Sequence, residues 1–412
     1  SGSQSITIKR DIEPLLSKVV GGAAAAYSLR DLNDKAGNNK VVEVRRSSDD
    51  ADRIFLAKEV SNGTLAAWVN ADYAKYTSDF SSGDNSWGAF DDVTETGNID
   101  GIGGLDNNLR LAIGSATSQH RAYRSSILPL NQKINFSARV FIPSTNSVVD
   151  SLGLRDASGS VIIAAGTTPA QDQWVTVTAN DVTVTNAQLR VDLQDGGINT
   201  FAGNGSDVIY LREVTVTQVT SDGFVSKWYD QSGNGHHAEQ AESTKQPKIV
   251  NAGTLLNELD FDGTDDTFAI DFGADLSQAN SLFMVHQSDS LSSNKNDFFD
   301  RISGSPRTLL DQSGSNYRML SPSSVSTGVA VTTDKSLVFA LYNGSSSLFA
   351  KNGTATSALD AGTQDINQNS SLGSSGSNFY KGSMQEFIIY NSDQSANRPA
   401  IEANINNQYD IY

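Results

Sequence analysis

The densest run of chemically capable side chains is Trp228-Tyr229-Asp230-Gln231-Ser232-Gly233-Asn234-Gly235-His236-His237-Ala238. Read residue by residue, it is a strand ending in aromatics, then a polar turn whose two glycines can reach left-handed conformations. Asp230, Gln231 and Asn234 can hydrogen-bond the turn's own backbone, so a structural corner is the plainer reading. The functional reading is a saccharide-binding corner, with Trp228 and Tyr229 as a stacking face and Asp230 contacting hydroxyls. His236 and His237 have no further His nearby in sequence, which argues against zinc. Asp262, Asp265 and Asp266 could hold Ca2+ through carboxylate oxygens and backbone carbonyls. A polar turn between strands explains them equally well. Glu386, on an expected strand with Met384 and Phe387, could act as a general acid, but bonding to neighbouring backbone is the simpler role. Asp49, Asp50 and Asp52 beside Arg45, Arg46 and Arg53 read as an edge ion-pair cluster.

The elements that must position these residues are mostly short strands between Gly, Asn, Asp and Ser turns. Alternation is clear in Trp174–Thr178, Val182–Val184 and Leu189–Leu193. In the last, Leu189, Val191 and Leu193 share one face, with Arg190 and Asp192 on the other. Further strands are expected at 25–30, 41–46, 134–142, 160–164, 208–217, 247–250, 258–261, 281–287, 336–342, 347–351 and 384–390. Asn352-Gly353 and Asp262-Gly263 supply the positive φ of tight turns. Helices are expected only at about 10–20, at 63–70, and after Ser395, where Pro399, Ile401, Ile405 and Tyr409 have helical spacing. The turn-rich Asp79–Trp87 opens a stretch of roughly 140 residues with strand alternation of its own, enough for a separate sandwich. The chain therefore reads as an all-β protein in which one β-sandwich, 1–72 with 221–412, is interrupted by another at 73–220.

Composition narrows the function. The 412 residues carry a net charge of −17, which argues against a nucleic-acid partner, since phosphate binding needs a cationic footprint. The absence of Cys rules out disulfides, thiolate metal sites and cysteine nucleophiles. No stretch approaches the ~18 apolar residues of a membrane span, so no membrane insertion is expected. Ser1-Gly2-Ser3 reads as a cloning remnant on an excised fragment.

Several motifs carry a family likeness. Ala23–Arg30, Val44–Asp50, the Tyr229–Gly235 run, Gln246–Val250, Phe261–Asp266 and Phe379–Met384 together resemble the catalytic-domain family of α-L-arabinofuranosidase B. The likeness covers about 1–72 and 221–412. It implies a concanavalin A-like sandwich of two antiparallel sheets. Similar versions occur in bacteriophage tail and virion proteins, which implies a virion or extracellular setting, other virion proteins as partners, and a homotrimer. A retaining glycosidase needs two carboxylates about 5–5.5 Å apart. The family places its nucleophile in a Met-Glu-Asn-Asn context and its acid/base in Gly-Gly-Asp-Asn. The nearest stretches here, Leu310–Gly314 and Leu372–Asn378, lack both at the matching places, leaving Asp311 and Glu386 as fallback catalytic candidates. Phe298-Phe299 lies roughly where the family has adjacent cysteines.

The stretch 79–217 resembles a carbohydrate-binding-module jelly roll through Asp79–Trp87, Gly97–Gly104, Phe141–Ser144, Trp174–Thr178 and Asp207–Val214. Such modules often hold a structural Ca2+, which makes Asp207 a candidate ligand beside Asp262 and Asp265; no cofactor is required. Trp87, His120, Tyr123 and Arg124 are the candidate sugar contacts, and Trp174 is expected in the core. Three functions follow: a non-catalytic virion or cell-surface protein that binds glycans or a host-cell surface, a glycoside hydrolase with a displaced carboxylate pair, or an architectural spacer.

Overall fold

The computed structural model describes residues 14–17, 22–33, 36–71, 73–289, 291, 297–301, 307–375 and 378–412. It is an all-β sandwich structure with antiparallel pairing throughout the described ladders. The chain divides into a discontinuous unit, Ser1–Trp68 with Asp222–Tyr412, and a continuous unit, Val69–Ser221. The described α-helices are Ala57–Ser61, Thr64–Val69 and Arg398–Tyr409. Of the helix expected at 10–20, residues 10–13 and 18–20 lie outside the described residues. Leu15–Ser17 form a single 3-10 turn.

In the discontinuous unit the Lys381–Tyr390 strand is central. It pairs with Ala25–Ser28, Thr254–Asp262 and Asn280–Ser288. Asn280–Ser288 pairs onward with Ser336–Tyr342. These inner strands are buried on both faces, so they carry continuous apolar stretches, Leu282–Val285, Leu337–Tyr342 and Phe387–Tyr390, rather than strict alternation. One face is covered by the C-terminal helix, whose Ile401 and Ile405 join Phe283, Val285, Phe339, Ile388 and Tyr390 in one cluster. Pro399 stands in the first turn of that helix, where a missing N–H costs nothing, and left-handed Asp410 closes it.

The continuous unit is two sheets packed face to face. One is ordered Val161–Thr167, Ser151–Asp156, Leu189–Gln194, Thr117–Arg124 and Thr200–Ala202, with Gly88–Asp91 also paired to Thr117–Arg124. The other is ordered Val175–Val184, Gln132–Phe141, Val208–Gln218, Asn108–Ile113 and Val93–Ile99, with Tyr73–Ser78 beside Val208–Gln218. Leu152, Leu154, Leu189, Val191 and Leu193 from the first meet Leu109, Leu111, Ile134, Phe136, Val140 and Leu211 from the second. The two short alternating runs expected at 174–178 and 182–184 are one strand, Val175–Val184. A register shift between Ala179 and Val182, with Asp181 at φ 54°, absorbs the change of phase.

Candidate functional site

Because Val191 and Leu193 point into the continuous unit's core, Arg190 and Asp192 must stand on the outer face of their sheet. Antiparallel register then fixes their neighbours. Arg190 lies opposite Tyr123 on one side and Arg155 on the other; Asp192 lies opposite Arg121 and Gly153. One strand further, Phe90 lies opposite Arg121 and Gly88 opposite Tyr123. The outer face therefore carries two adjacent rows, Phe90–Arg121–Asp192–Gly153 and Gly88–Tyr123–Arg190–Arg155.

The side chains of these rows meet. The Phe90 and Tyr123 rings lie 4.4 Å apart at 30°, and the Arg190 guanidinium sits 5.6 Å from the Phe90 centroid. A Cβ at Gly88 would fall 2.7 Å from Tyr123 Cζ, so glycine is what lets the phenol lie over that strand. Arg121 Nε donates to Asp192 Oδ1 at 2.6 Å and Arg155 Nε to Asp192 Oδ2 at 2.9 Å. The Asp192 side chain is only 7% exposed and that of Arg121 9%, so this pair is largely desolvated and stronger than a surface contact. Burial alone would raise the Asp192 pKa, but the two arginines hold it below the usual carboxylate range. Beside Gly153 the Val161–Thr167 strand leaves register, and a Cβ at Gly153 would lie 3.1 Å from Ala165 Cα. The Gly166 N–H donates to Gln194 Oε1 at 2.7 Å, fixing that raised segment as a rim of the face. The arrangement offers a half-buried aromatic pair beside guanidinium donors and one carboxylate acceptor.

Of the residues expected to touch sugar in this unit, only Tyr123 belongs to that face. Trp87 is 4% exposed, packs on Phe80 and donates through Nε1 to Tyr76 Oη at 3.1 Å; it is a core residue, not a platform. His120 is fully buried, its ring 4.4 Å from Phe201 and its Nε2 3.2 Å from the Phe201 carbonyl. Alternation turns Arg124 away from Tyr123, and its Nη1 donates to the Ser125 carbonyl at 3.0 Å. Trp174, expected in the core, is half-buried on the other sheet, between the Arg139 and Arg212 guanidiniums at 5.8 and 5.7 Å.

The Trp228–Ala238 run is a clamp. Trp228 is wholly buried against Tyr27 and Phe268, which corrects the stacking-face expectation. Asp230 Oδ1 accepts the N–H of Ala26 at 2.9 Å and of Ser232 at 2.8 Å. Its Oδ2 accepts those of Gly235 and His236, both at 3.1 Å. Gln231 receives the Leu32 N–H and donates to the Ser28 and Arg30 carbonyls. Asn234 Nδ2 donates to the Ala23 and Ala24 carbonyls. With these polar atoms engaged, Asp230 has little left for a ligand hydroxyl. Tyr229 is 8% exposed and donates to Glu43 at 3.2 Å; burial and then the Glu43 charge push its hydroxyl up to about 12.

Both fallback catalytic carboxylates are held by arginines. Asp311 is 3% exposed and takes Arg318, its cross-strand partner, in a two-pronged ion pair. Glu386 is 1% exposed and accepts from Arg30 Nε at 2.7 Å, Arg30 Nη2 at 2.9 Å, Ser28 Oγ at 2.9 Å and Tyr409 Oη at 3.1 Å. Burial would lower the Arg30 pKa, but the Glu386 carboxylate raises it overall. Arg30 and Tyr409 line a cavity of about 570 Å3, and Glu386 stands behind them. Phe298 and Phe299, where the resembled family has cysteines, are fully buried; Phe298 lies 4.6 Å from the His286 ring and Phe299 5.5 Å from Phe387.

Asp207 is 2% exposed, and its carboxylate accepts the N–H groups of Ser147, Val148 and Val149 at 2.8, 2.6 and 2.9 Å and Asn204 Nδ2 at 2.5 Å. Donors surround the oxygens that a cation would need, so Asp207 is a poor ligand. Carboxylate oxygens of Asp262, Asp265 and Asp266 lie within 4.8 Å of one another, a spacing that a single Ca2+ could span. Asp262 Oδ1 also accepts the Thr264 N–H and Asp266 Oδ2 the Asp262 N–H, as a turn requires. Burial pushes the Asp266 carboxyl up to about 7, against the bond from the Asp262 N–H and helped by the Asp262 and Asp265 charges. Among the described residues no helix is long and apolar enough to cross a membrane.

No protein-family model and no curated protein matches the sequence, so the arabinofuranosidase B likeness rests on its motif residues alone. Among solved structures, the chain is similar to the CBM22-1 xylan-binding domain of Paenibacillus barcinonensis Xyn10C, at 14% identity and TM-score 0.28 over 36% of this chain and 97% of that one. It is similar to domain 4 of the extracellular arabinanase AbnA from Geobacillus stearothermophilus, solved with arabinotriose, at 13% identity and TM-score 0.27 over 39% and 85%. It is also similar to Trypanosoma rangeli sialidase, at 10% identity and TM-score 0.34 over 74% and 52%.

Proposed function

We propose that this protein binds glycan through the outer face of the continuous unit's Thr117–Arg124 sheet and does not hydrolyse it. The observation that carries this reading is the Phe90–Tyr123 ring pair lying beside the Arg121–Asp192–Arg155 cluster. Sugar rings stack their C–H faces on aromatic rings while hydroxyls bond to guanidinium and carboxylate groups, and both are at hand on this face. Among the described residues Tyr123 Oη has no hydrogen-bond partner in the protein, and it stands ready for a ligand hydroxyl. The non-catalytic part is supported by Asp311 and Glu386, each held by an arginine rather than set opposite a second carboxylate.

A virion or extracellular setting, a host-cell surface as target and a homotrimer are the setting implied by the resemblance. Several copies would turn a weak single site into useful avidity. Titration of the full chain with xylan- and arabinan-derived oligosaccharides tests the binding. Tyr123→Ala should weaken it by about tenfold or more, whereas Trp174→Ala on the opposite sheet should leave it unchanged. Equal binding by the Tyr123 variant, or sugar release abolished by Glu386→Gln, would overturn the reading.

A further inference from the structure

The proposed face has a charge that its own residues leave unbalanced. Arg121, Arg155 and Arg190 stand together against the single carboxylate of Asp192, on a chain whose net charge is −17. The next carboxylate, Asp156, accepts the backbone N–H groups of Ser160, Thr185 and Asn186 and faces none of these guanidiniums in an ion pair. Arg121 and Arg155 reach Asp192 through Nε alone, and Arg190 Nε donates to Gln188 Oε1 at 2.8 Å. Among the described residues the terminal nitrogens of all three guanidiniums lack a hydrogen bond to protein, and none is sealed from solvent. Arg190 has no ion-pair partner among the described residues. Burial, then the positive charges of Arg121 and Arg155, lower its pKa and outweigh the attraction of Asp192 and Asp156.

A neutral sugar would leave this repulsion as it is. A carboxylate or sulfate ester would relieve it, and would match the planar guanidinium forks in charge-assisted pairs. Resting on the glycan-binding reading, we infer that the ligand is an acidic saccharide whose anionic group seats among Arg121, Arg155 and Arg190 while a neighbouring ring stacks on Phe90 and Tyr123.

The test compares glucuronoxylan with the same polymer after carboxyl reduction, with poly-L-glutamate as a non-saccharide anion, by titration of the full chain at low and high salt. The acidic polymer should bind about tenfold tighter than its reduced form, and salt should narrow the gap. Arg190→Gln should remove most of that preference, whereas Arg139→Gln on the other sheet should keep it; melting curves confirm that both variants are folded. Equal binding of the two polymers would overturn the acidic inference and leave glycan binding standing. Binding to neither would overturn glycan binding itself. Equal, Arg190-dependent binding of poly-L-glutamate would overturn the saccharide assignment.

Discussion

In the discontinuous unit three chemically capable side chains turn inward: Glu386 is closed around by Arg30, Ser28 and Tyr409, Asp230 by backbone N–H groups, and His286 by Tyr317 and Tyr380. In the continuous unit the Arg121–Asp192–Arg155 cluster lies on the outside of a sheet, beside half-buried aromatic rings. Both regions contain arginine–carboxylate pairs and aromatics, the residue types associated with saccharide sites. Unused donors separate them: Arg30 gives both Nε and Nη2 to Glu386, whereas Arg121 and Arg155 give only Nε to Asp192. Where every polar atom has a protein partner, chemistry-bearing residues stabilise the fold; where donors stay free beside an aromatic face, they can meet a ligand.

The comparison breaks most visibly at the buried pair. Arg30→Met should leave the Glu386 charge unpaired in the interior and cost about 3–5 kcal/mol of stability in urea unfolding. It should not alter glycan binding. Asp230→Ala strips the acceptor from the Ala26, Ser232, Gly235 and His236 N–H groups and should cost about 2–3 kcal/mol, again with binding unchanged. Loss of binding in either folded variant would erase the distinction between the two regions.

Acid titration sharpens it. Burial holds His286 down to about 3, so between the ordinary His range and about 3 the unfolded chain takes up a proton that the folded chain refuses. Stability from this residue is complete above about 6.5 and is lost as pH falls. Asp266 acts with the opposite sign. Between about 4 and about 7 the folded chain keeps a proton that the unfolded chain has released, so its contribution is lost as pH rises. Melting temperatures across pH 4–8 should therefore lose part of their acid-side decline in His286→Gln, and rise at pH 8 by a few degrees in Asp266→Asn. The smallest effect is expected at the surface pair of Arg46 and Asp49, where Asp49→Asn should change stability by less than about 1 kcal/mol.

Many of the strands, and the alternation of Leu189, Val191 and Leu193 against Arg190 and Asp192, were legible in the sequence, because period-two patterning follows directly from pleating; the site strands Gly88–Asp91, Thr117–Arg124 and Ser151–Asp156 were not among those expected. So was the corner role of Asp230, which accepts the Ser232, Gly235 and His236 N–H groups of its own turn, whereas the Gln231 and Asn234 side chains bond the distant Ala23–Leu32 segment instead. The site was less legible. Phe90, Arg121 and Arg155 come from strands far apart in the chain, and only pairing register sets them beside Asp192. Trp87 and His120 were candidates by residue type, as aromatic and polar side chains that a sugar could meet. Trp87 instead packs on Phe80, and His120 occupies the core-facing phase of its strand. Asp207 had the right chemistry for Ca2+, but the turn at Ser147–Val149 supplies its donors from across the sandwich edge.

The central claim is that the ligand meets the continuous unit's outer sheet face and not the aromatic corner at Trp228–Asp230. Calorimetric titration of a single acidic xylo-oligosaccharide into the wild-type chain, Phe90→Ala/Tyr123→Ala and Tyr229→Ala tests it most directly. The account predicts loss of measurable heat for the double variant and a wild-type isotherm for Tyr229→Ala; the reverse pattern would contradict it.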